Sequence, residues 1–160
     1  MLILAELTQR HAGAGRVTWL GLRPAKRVAM DAVRQAEVTT DGLAGDRGRA
    51  GKRAITLFQA EHLPVIAALA GCGDVTPNLL RRNVVVAGIN LTALKGRIVQ
   101  VGTAQLRWTT ICAPCSRMEA ALGHGGYNAL RGHGGWCAEV IAPGHIALGD
   151  PVDIVAEAAA

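Results

Sequence analysis

The sequence predicts a mainly β fold with some α: an α+β chain built on a closed, mostly antiparallel β-barrel with a few short helices. Three observations carry this. Short apolar or β-branched segments follow one another closely, Gly and Pro punctuate the gaps, and no regular helix alternates with the strands as a doubly wound sheet would require. The 160 residues form one domain, 1–160. A chain of that size buries about 68–70% of its unfolded surface and needs neither disulfides nor metal to hold a core.

Taken in order, residues 2–7, 17–22 and 35–40 read as strands. Residues 53–58 follow, with Ile55 and Leu57 on one face. The Val-rich residues 83–87 read as a strand buried on both sides. Residues 98–101 and 106–110 flank a turn at Gly102, and Pro143-Gly144 reads as a hairpin turn joining 139–142 to 145–148. Val152 and Ile154 alternate with Asp153 and close the series. Helical periodicity appears over 60–70, where Leu63, Ile66, Ala67 and Ala70 share a face and Pro64 sits in the first turn. Thr76-Pro77 reads as an N-cap and first helical residue of a short helix to about Arg82. Ser116-Arg117-Met118-Glu119 matches a capping box opening a helix to about Leu122, stopped by Gly123. The Ala-rich last five residues are expected to fray.

Composition narrows the function classes. Half the residues are hydrophobic and 18% are charged, which excludes a disordered chain, and the 20 glycines have no three-residue period, which excludes collagen. No apolar run spans a bilayer, and Met1 to Leu7 carries Glu6 without a basic leader or cleavage site, so neither a membrane span nor a signal peptide is expected. Four cysteines without such a signal point to a reducing compartment, by default the cytoplasm. The net charge is 17 − 12 = +5 with pI near 9.5. Basic residues are spread along the chain and only five aromatics are present, too few for a base-stacking platform. A small anionic ligand is expected, not nucleic acid.

Cys112-Ala113-Pro114-Cys115, followed at once by the helix start, is the sharpest local feature. Backbone N–H groups, the helix dipole and Arg117 all favour a thiolate at Cys115. Three other readings use the same residues. The cysteines are inert and buried; or they form a dithiol redox centre in which Cys112 attacks and Cys115 resolves; or Cys112, Cys115, His133 and Cys137, with ligand-like spacing, hold a structural zinc. The Gly-rich residues 42–48 bring backbone N–H groups toward an anion that Arg47 would clamp, although the Walker lysine-serine pair is absent. In Arg81-Arg82-Asn83 one arginine is expected to cap carbonyls while the other faces solvent. Two Gly-rich stretches, 123–127 and 132–135, carry His124 and His133, each a surface histidine or a proton donor near neutral pH.

These segments together, in this order, resemble the MOSC domain, named for the C-terminal domain of molybdenum cofactor sulfurase. The matching pieces are residues 42–47, Ile55-Thr56-Leu57 with Glu61, 80–91, 94–102, 112–119, 132–135, and Gly144-His145-Ile146 with Gly149-Asp150. The resemblance covers nearly the whole chain and implies a β-rich, barrel-like fold in a stand-alone single-domain protein. It also implies a hallmark cysteine, matched by Cys115, which in amidoxime-reducing relatives ligates molybdenum. It matches Arg81 and Asn83 to a pair that contacts the pterin phosphate. Family members often carry His after Gly-Asp-Arg, where this chain has Gly48. Larger reductase relatives add an N-terminal barrel for which this length leaves no room.

The expected function is therefore binding of the molybdenum cofactor (molybdopterin). Cys115 would be the catalytic residue and metal ligand, and Arg47, Arg81 and Asn83 would hold the cofactor. The reaction would be reduction of N-hydroxylated small molecules with electrons from a separate donor protein. The alternatives are a sulfur carrier holding a persulfide on Cys115, loaded by a sulfur-donor protein, and a zinc-stabilised binding module.

Overall fold

The computed structural model describes residues 1–156, so the end expected to fray falls mostly on 157–160, outside the described residues. In chain order the elements are α1 (Leu4–Thr8), β1 (Gly15–Leu22), β2 (Asp31–Ala32), β3 (Gln35–Thr39), β4 (Gly42–Leu43) and β5 (Ile55–Gln59). Next come α2 (His62–Ala70), α3 (Pro77–Leu80), β6 (Val84–Ala87), a 3-10 turn (Leu91–Leu94), β7 (Ile98–Val101) and β8 (Ala104–Ile111). The series ends with α4 (Ser116–Leu122), α5 (Gly126–Leu130), β9 (Trp136–Ala142), β10 (Gly144–Ala147) and β11 (Pro151–Ile154).

Strands β1, β11, β7, β8, β9, β5 and β6 pair in that order, and β6 pairs back onto β1, closing a seven-stranded barrel. Closure leaves no edge in this ring, and β2 extends the end of β1. The pairings are antiparallel except β5 with β6, which run parallel and cross over through α2 and α3. A small second sheet, β10-β3-β4, packs alongside.

Strand alternation makes two cores. Ile55, Leu57, Val84 and Val86 point into the barrel, where they meet Leu20, Val99, Leu106, Trp108 and Val152. Phe58 and Val85 point outward, against Ile66, Leu80, Met118, Leu122 and Leu130 of the helices. Both faces of β6 are thus buried, as its unbroken valine run predicts. Leu63, Ala67 and Ala70 of α2 join Ile66 on the face that its periodicity marks.

Four expectations are corrected. Residues 2–7 are not a strand. Leu-Ala-Glu-Leu favours helix, no strand edge lies beside it, and Glu6 Oε2 accepts the Ile3 N–H at 2.9 Å to start α1. Pro143-Gly144 makes a corner instead of a hairpin: β9 pairs with β5 and β8, while β10 pairs with β3. A Cβ at Gly144 would meet Thr103 backbone at 2.6 Å, so a glycine lets the chain pass against the turn between β7 and β8. The helix opening at Pro77 stops at Leu80, because Arg81 adopts a left-handed conformation (φ 57°) and ends it. Finally, the capping box is not formed. Cys115 occupies the N-cap position, and Glu119 reaches forward to accept the N–H groups of Gly125 and Tyr127, both at 2.8 Å, starting α5 in a stretch that reads as loop.

Among the described residues, no helix is long and apolar enough to cross a membrane.

Candidate functional site: an arginine-lined cavity beside an exposed cysteine

The site is assembled around two adjacent residues at the start of β6. Asn83 is fully buried and all its amide valences are used internally. Its Oδ1 accepts from the Thr56 amide at 3.1 Å and the Thr56 hydroxyl at 3.0 Å, and its Nδ2 donates to the Gly21 carbonyl and Asp46 Oδ1, both at 3.0 Å. Arg82 is also buried, with no carboxylate partner among the described residues. Its guanidinium donates to three carbonyls: Gly134 and Leu80 at 2.9 Å each, and Cys112 at 3.4 Å. Each of its three nitrogens donates one bond, which offsets part of the cost of burying the charge, and the planar fork of arginine suits three carbonyls in different directions. Asn83 therefore ties β1 and β5 to the 42–48 turn, and Arg82 ties α3 to the 112–115 segment and to Gly134.

Two glycines of the 132–135 stretch are explained by this packing. A Cβ at Gly134 would lie 2.4 Å from the Cys112 carbonyl, and one at Gly135 (φ 86°) would lie 2.1 Å from the Leu57 carbonyl.

Around this frame opens a cavity of about 760 Å³. Arg23, Arg47, Arg49, Lys52, Arg53, Arg81, Arg82 and Arg117 border it, together with Gly48 and Cys115. Arg23 is neutralised by Asp46. Burial would raise that carboxyl, but the hydrogen bonds and charge of Arg23, with the Gly48 amide, outweigh it and hold Asp46 below its ordinary value. Arg81 donates to the carbonyls of Val28 and Ala25, the latter at 3.2 Å. Its own pKa is lowered by burial and by the charges of Arg23, Arg47 and Arg117. Among the described residues, the side chains of Arg47, Arg49, Lys52, Arg53 and Arg117 donate to no acceptor. Five unpaired cations facing one cavity repel one another, and a polyanion is what relieves that repulsion.

Of the site residues read from sequence, Arg47, Arg81 and Cys115 border this cavity and Asn83 does not. Asn83 positions Asp46 and the strand ends from inside the protein. Arg23, Arg49 and Arg53, which carry no sequence motif of their own, join Arg47, Arg81 and Cys115 there. Of the two adjacent arginines, Arg82 caps carbonyls as expected, but Arg81 does so too. Cys115 is exposed and Cys112 half-buried, with no disulfide between them.

Cys112 borders a different cavity, shared with His62 and Trp136. It continues β8, its amide bonded to the Gly135 carbonyl at 2.8 Å, while Cys137 pairs with Thr110. The two thiols are therefore diagonal neighbours on one face of the ladder. The Cys137 thiol proton pulls Cys112 down to about 6, against its burial and aided by Arg82, Arg23 and Arg53. The Cys112 neighbour and its own burial push the Cys137 thiol up.

The zinc reading fails on placement. His133 packs edge-on against His62, with ring centres 4.9 Å apart, and Cys115 belongs to the other cavity. Among the described residues, no three His, Cys, Asp or Glu side chains converge as metal ligands. Burial and the neighbouring His133 hold His62 below the usual imidazole value, against the pull of Glu61. His124 is fully exposed, 4.0 Å from Glu119 and outside both cavities.

A closed seven-stranded barrel, with a cationic cavity at its β6 start and an exposed cysteine where β8 gives way to a helix, defines a recognisable class. The chain belongs to the MOSC domain family: the sequence profile of the MOSC domain matches residues 10–153. It is similar in structure to the YuaD protein from Bacillus subtilis, with 19% identity, TM-score 0.78, and 91% of this chain and 97% of that one covered. It is also similar to YiiM from Geobacillus stearothermophilus (19% identity, TM-score 0.74, 89% and 75% covered). YiiM from Escherichia coli matches at 21% identity and TM-score 0.65, with 91% and 72% covered. No curated protein matches the sequence.

Proposed function

We propose that this chain binds the molybdenum cofactor in the arginine-lined cavity, with Cys115 as the thiolate ligand of the metal, and reduces N-hydroxylated compounds. MOSC domains are generally associated with that cofactor. The observation that carries the reading is the set of five unpaired cations around a cavity with an exposed thiol on its border. The donor set fits the group. A thiolate is a soft ligand suited to molybdenum, and guanidinium forks suit the oxygens of a phosphate.

Arg47, Arg49, Arg53 and Arg117 would hold the phosphate-bearing end, with Arg81 contributing its charge while its Nη atoms stay on the loop carbonyls. Arg23, locked on Asp46, orients the turn that presents Arg47 and Gly48. Arg82 keeps the 112–115 segment seated, so that Cys115 meets the cavity at a fixed place. Bound there, the molybdenum centre would supply two-electron redox chemistry, with electrons from a separate donor protein.

The test is reconstitution. The purified chain, incubated with released molybdenum cofactor, is expected to retain close to one molybdenum and one pterin per chain, and Cys115→Ser is expected to lose the metal while still folding. Full molybdenum retention by Cys115→Ser would remove Cys115 as the ligand.

The exposure of Cys115 favours a second reading, a sulfur carrier, because a donor protein can reach an exposed thiolate. The Cys115 thiolate would attack the terminal sulfur of a donor persulfide, forming Cys115–S–SH and releasing the donor thiolate. A carrier gains one reductant-labile sulfur by mass when incubated with the donor, and Cys115→Ser gains none.

A further inference from the structure

The C-x-x-C spacing pairs Cys112 with Cys115, but the fold sets these two residues on different cavities. Cys115 borders the arginine-lined space, whereas Cys112 borders a second one, of about 380 Å³, on the other flank of the 112–115 segment. The thiol that meets Cys112 is that of Cys137. Thr110 stands opposite Cys137 in the β8–β9 ladder, and the Cys112 amide donates to the Gly135 carbonyl at 2.8 Å. Strand alternation then puts Cys112 and Cys137 on one face, a diagonal step apart, and their thiols are hydrogen-bond partners.

Their surroundings give the two thiols different tasks. Cys137 is buried and does not line the cavity. Cys112 is half-buried and opens on it, beside Ile111, Pro114, Trp136 and Lys95. The Cys137 thiol, and after it the charge of Arg82, hold Cys112 below the usual thiol value against its burial, which favours the nucleophilic form. A reagent that enters the cavity therefore reaches Cys112 first, with Cys137 behind it. One accessible sulfur backed by one shielded sulfur is the arrangement that lets a first oxidation be resolved as a disulfide.

The chain can close that bond. A disulfide needs Cβ atoms about 3.8 Å apart, closer than a diagonal pair stands, so one side has to shift. Cys137 lies inside β9, paired with Thr110 on one side and Thr56 on the other. Cys112 lies one residue beyond the end of β8, and its carbonyl is held by Arg82 Nη2 at 3.4 Å, the longest of that guanidinium's three bonds. The movement falls on Cys112.

We propose that Cys112 and Cys137 form a redox-active dithiol, in which a small hydroperoxide entering the second cavity oxidises Cys112 and Cys137 closes the disulfide. The Cys112 thiolate attacks the terminal oxygen of the hydroperoxide. The O–O bond breaks, Cys112 becomes a sulfenic acid, and the alkoxide takes a proton from solvent and leaves as the alcohol. The Cys137 sulfur then attacks the Cys112 sulfur, the S–O bond breaks, and the hydroxide leaves as water with the Cys137 proton. Two thiols and one hydroperoxide give one disulfide, one alcohol and one water: the sulfurs lose two electrons and the oxygens gain them. An external dithiol restores the pair by exchange. The site is independent of the cofactor reading, because Cys115 takes no part in it.

The experiment treats the folded, reduced Cys115→Ser chain with a slight excess of hydrogen peroxide, then blocks free thiols and digests with trypsin. The chain is expected to lose two of its three remaining thiols and about 2 Da, both restored by dithiothreitol. The bridge is expected to join peptide 108–117 to the peptide that begins at Gly132, while Cys72 stays free. In the wild type, fragmentation between Ala113 and Pro114 is expected to place the bridge on Cys112 and not on Cys115. Adding Cys137→Ser is expected to leave Cys112 as a sulfenic acid that dimedone traps. Adding Cys112→Ser instead is expected to leave Cys137 as a free thiol.

The wild-type result needs no substitution at either cysteine, so a variant that misfolds does not decide the matter. A wild-type disulfide closed within peptide 108–117, a bridge to Cys72, peroxide treatment that leaves no bridge, or oxidation of Cys137 at an undiminished rate in Cys112→Ser would each overturn the inference.

Discussion

Arg23 and Asp46 form a two-pronged ion pair whose carboxylate is wholly shut off from solvent: Nη2 lies 2.9 Å from Oδ2 and Nε 3.1 Å from Oδ1. The same carboxylate accepts the Arg23 amide at 2.6 Å, the Gly48 amide at 2.8 Å and Asn83 Nδ2 at 3.0 Å. One acid thus joins the end of β1, the turn after β4 and the start of β6. Beside the cation-rich cavity it fixes the backbone on which Arg47 stands.

Replacing Asp46 by Asn keeps the size but leaves Arg23 half-buried without its counter-charge. Breaking a fully buried pair costs about 3–5 kcal/mol, and because Arg23 keeps some contact with water the expected loss is about 2–3 kcal/mol at pH 7. The pH dependence follows from the depressed carboxyl. Its stabilisation is complete above the ordinary carboxylate pKa near 4 and disappears as pH falls through the lower folded value. The gap between wild type and Asp46→Asn is therefore expected to narrow on acidification below about pH 4. Denaturant midpoints at neutral and acid pH measure it, and a gap that widens would contradict the pairing.

Arg53 illustrates the opposite case, a cation whose side chain bonds to nothing among the described residues. Arg53→Ala is expected to change stability by less than about 0.5 kcal/mol, since an exposed side chain without a partner holds nothing together. Its loss is nevertheless expected to weaken pyrophosphate binding several-fold and to flatten the salt dependence of that binding. Calorimetric titration at two ionic strengths separates this from a folding defect.

Arg82 and Arg53 are chemically identical, yet their roles differ. Arg82→Met would leave the carbonyls of Leu80, Gly134 and Cys112 without this donor, at an expected cost of about 2–3 kcal/mol. Arg82→Lys would recover less than half of that, because an ammonium cannot span three diverging acceptors. Faster hydrogen exchange at the Cys112 amide, which bonds to Gly135, is the expected local signature.

The contrast also marks how far the sequence reaches. The barrel is legible because inward alternation in β5 and the doubly buried valines of β6 are written in residue type. The helix α5 is not, because its start is stabilised by Glu119 from the preceding helix, a contact made through tertiary structure. The 139–148 hairpin misreads for the same reason. Pro143-Gly144 marks a reversal of direction, and only the pairing of β10 with β3 shows that the chain changes sheet. Cys115 and Arg47, read from local sequence, and Arg81, read from the resemblance, border the cavity, whereas the amide of Asn83 faces Thr56, Gly21 and Asp46 inside the protein. Arg23 is missed, because its place depends on a residue 23 positions away.

Cys112 and Cys137 carry the remaining prediction. The sequence links them only through zinc-like spacing, whereas the ladder sets them diagonally, and the Cys137 thiol is the main influence holding Cys112 below the usual thiol value. Cys137→Ala removes that thiol and leaves the contributions of Arg82, Arg23 and Arg53. The Cys112 pKa is therefore expected to rise, because burial, which also raises it, is then opposed only by those three guanidinium charges. The alkylation rate at a single pH is a poor readout, because the thiolate fraction falls while its intrinsic nucleophilicity rises. The midpoint of the rate against pH is the quantity to compare, read on the Cys112 peptide by mass spectrometry in a Cys115→Ser background. A midpoint that stays near 6 in Cys137→Ala would assign the depressed thiol to the guanidinium groups alone.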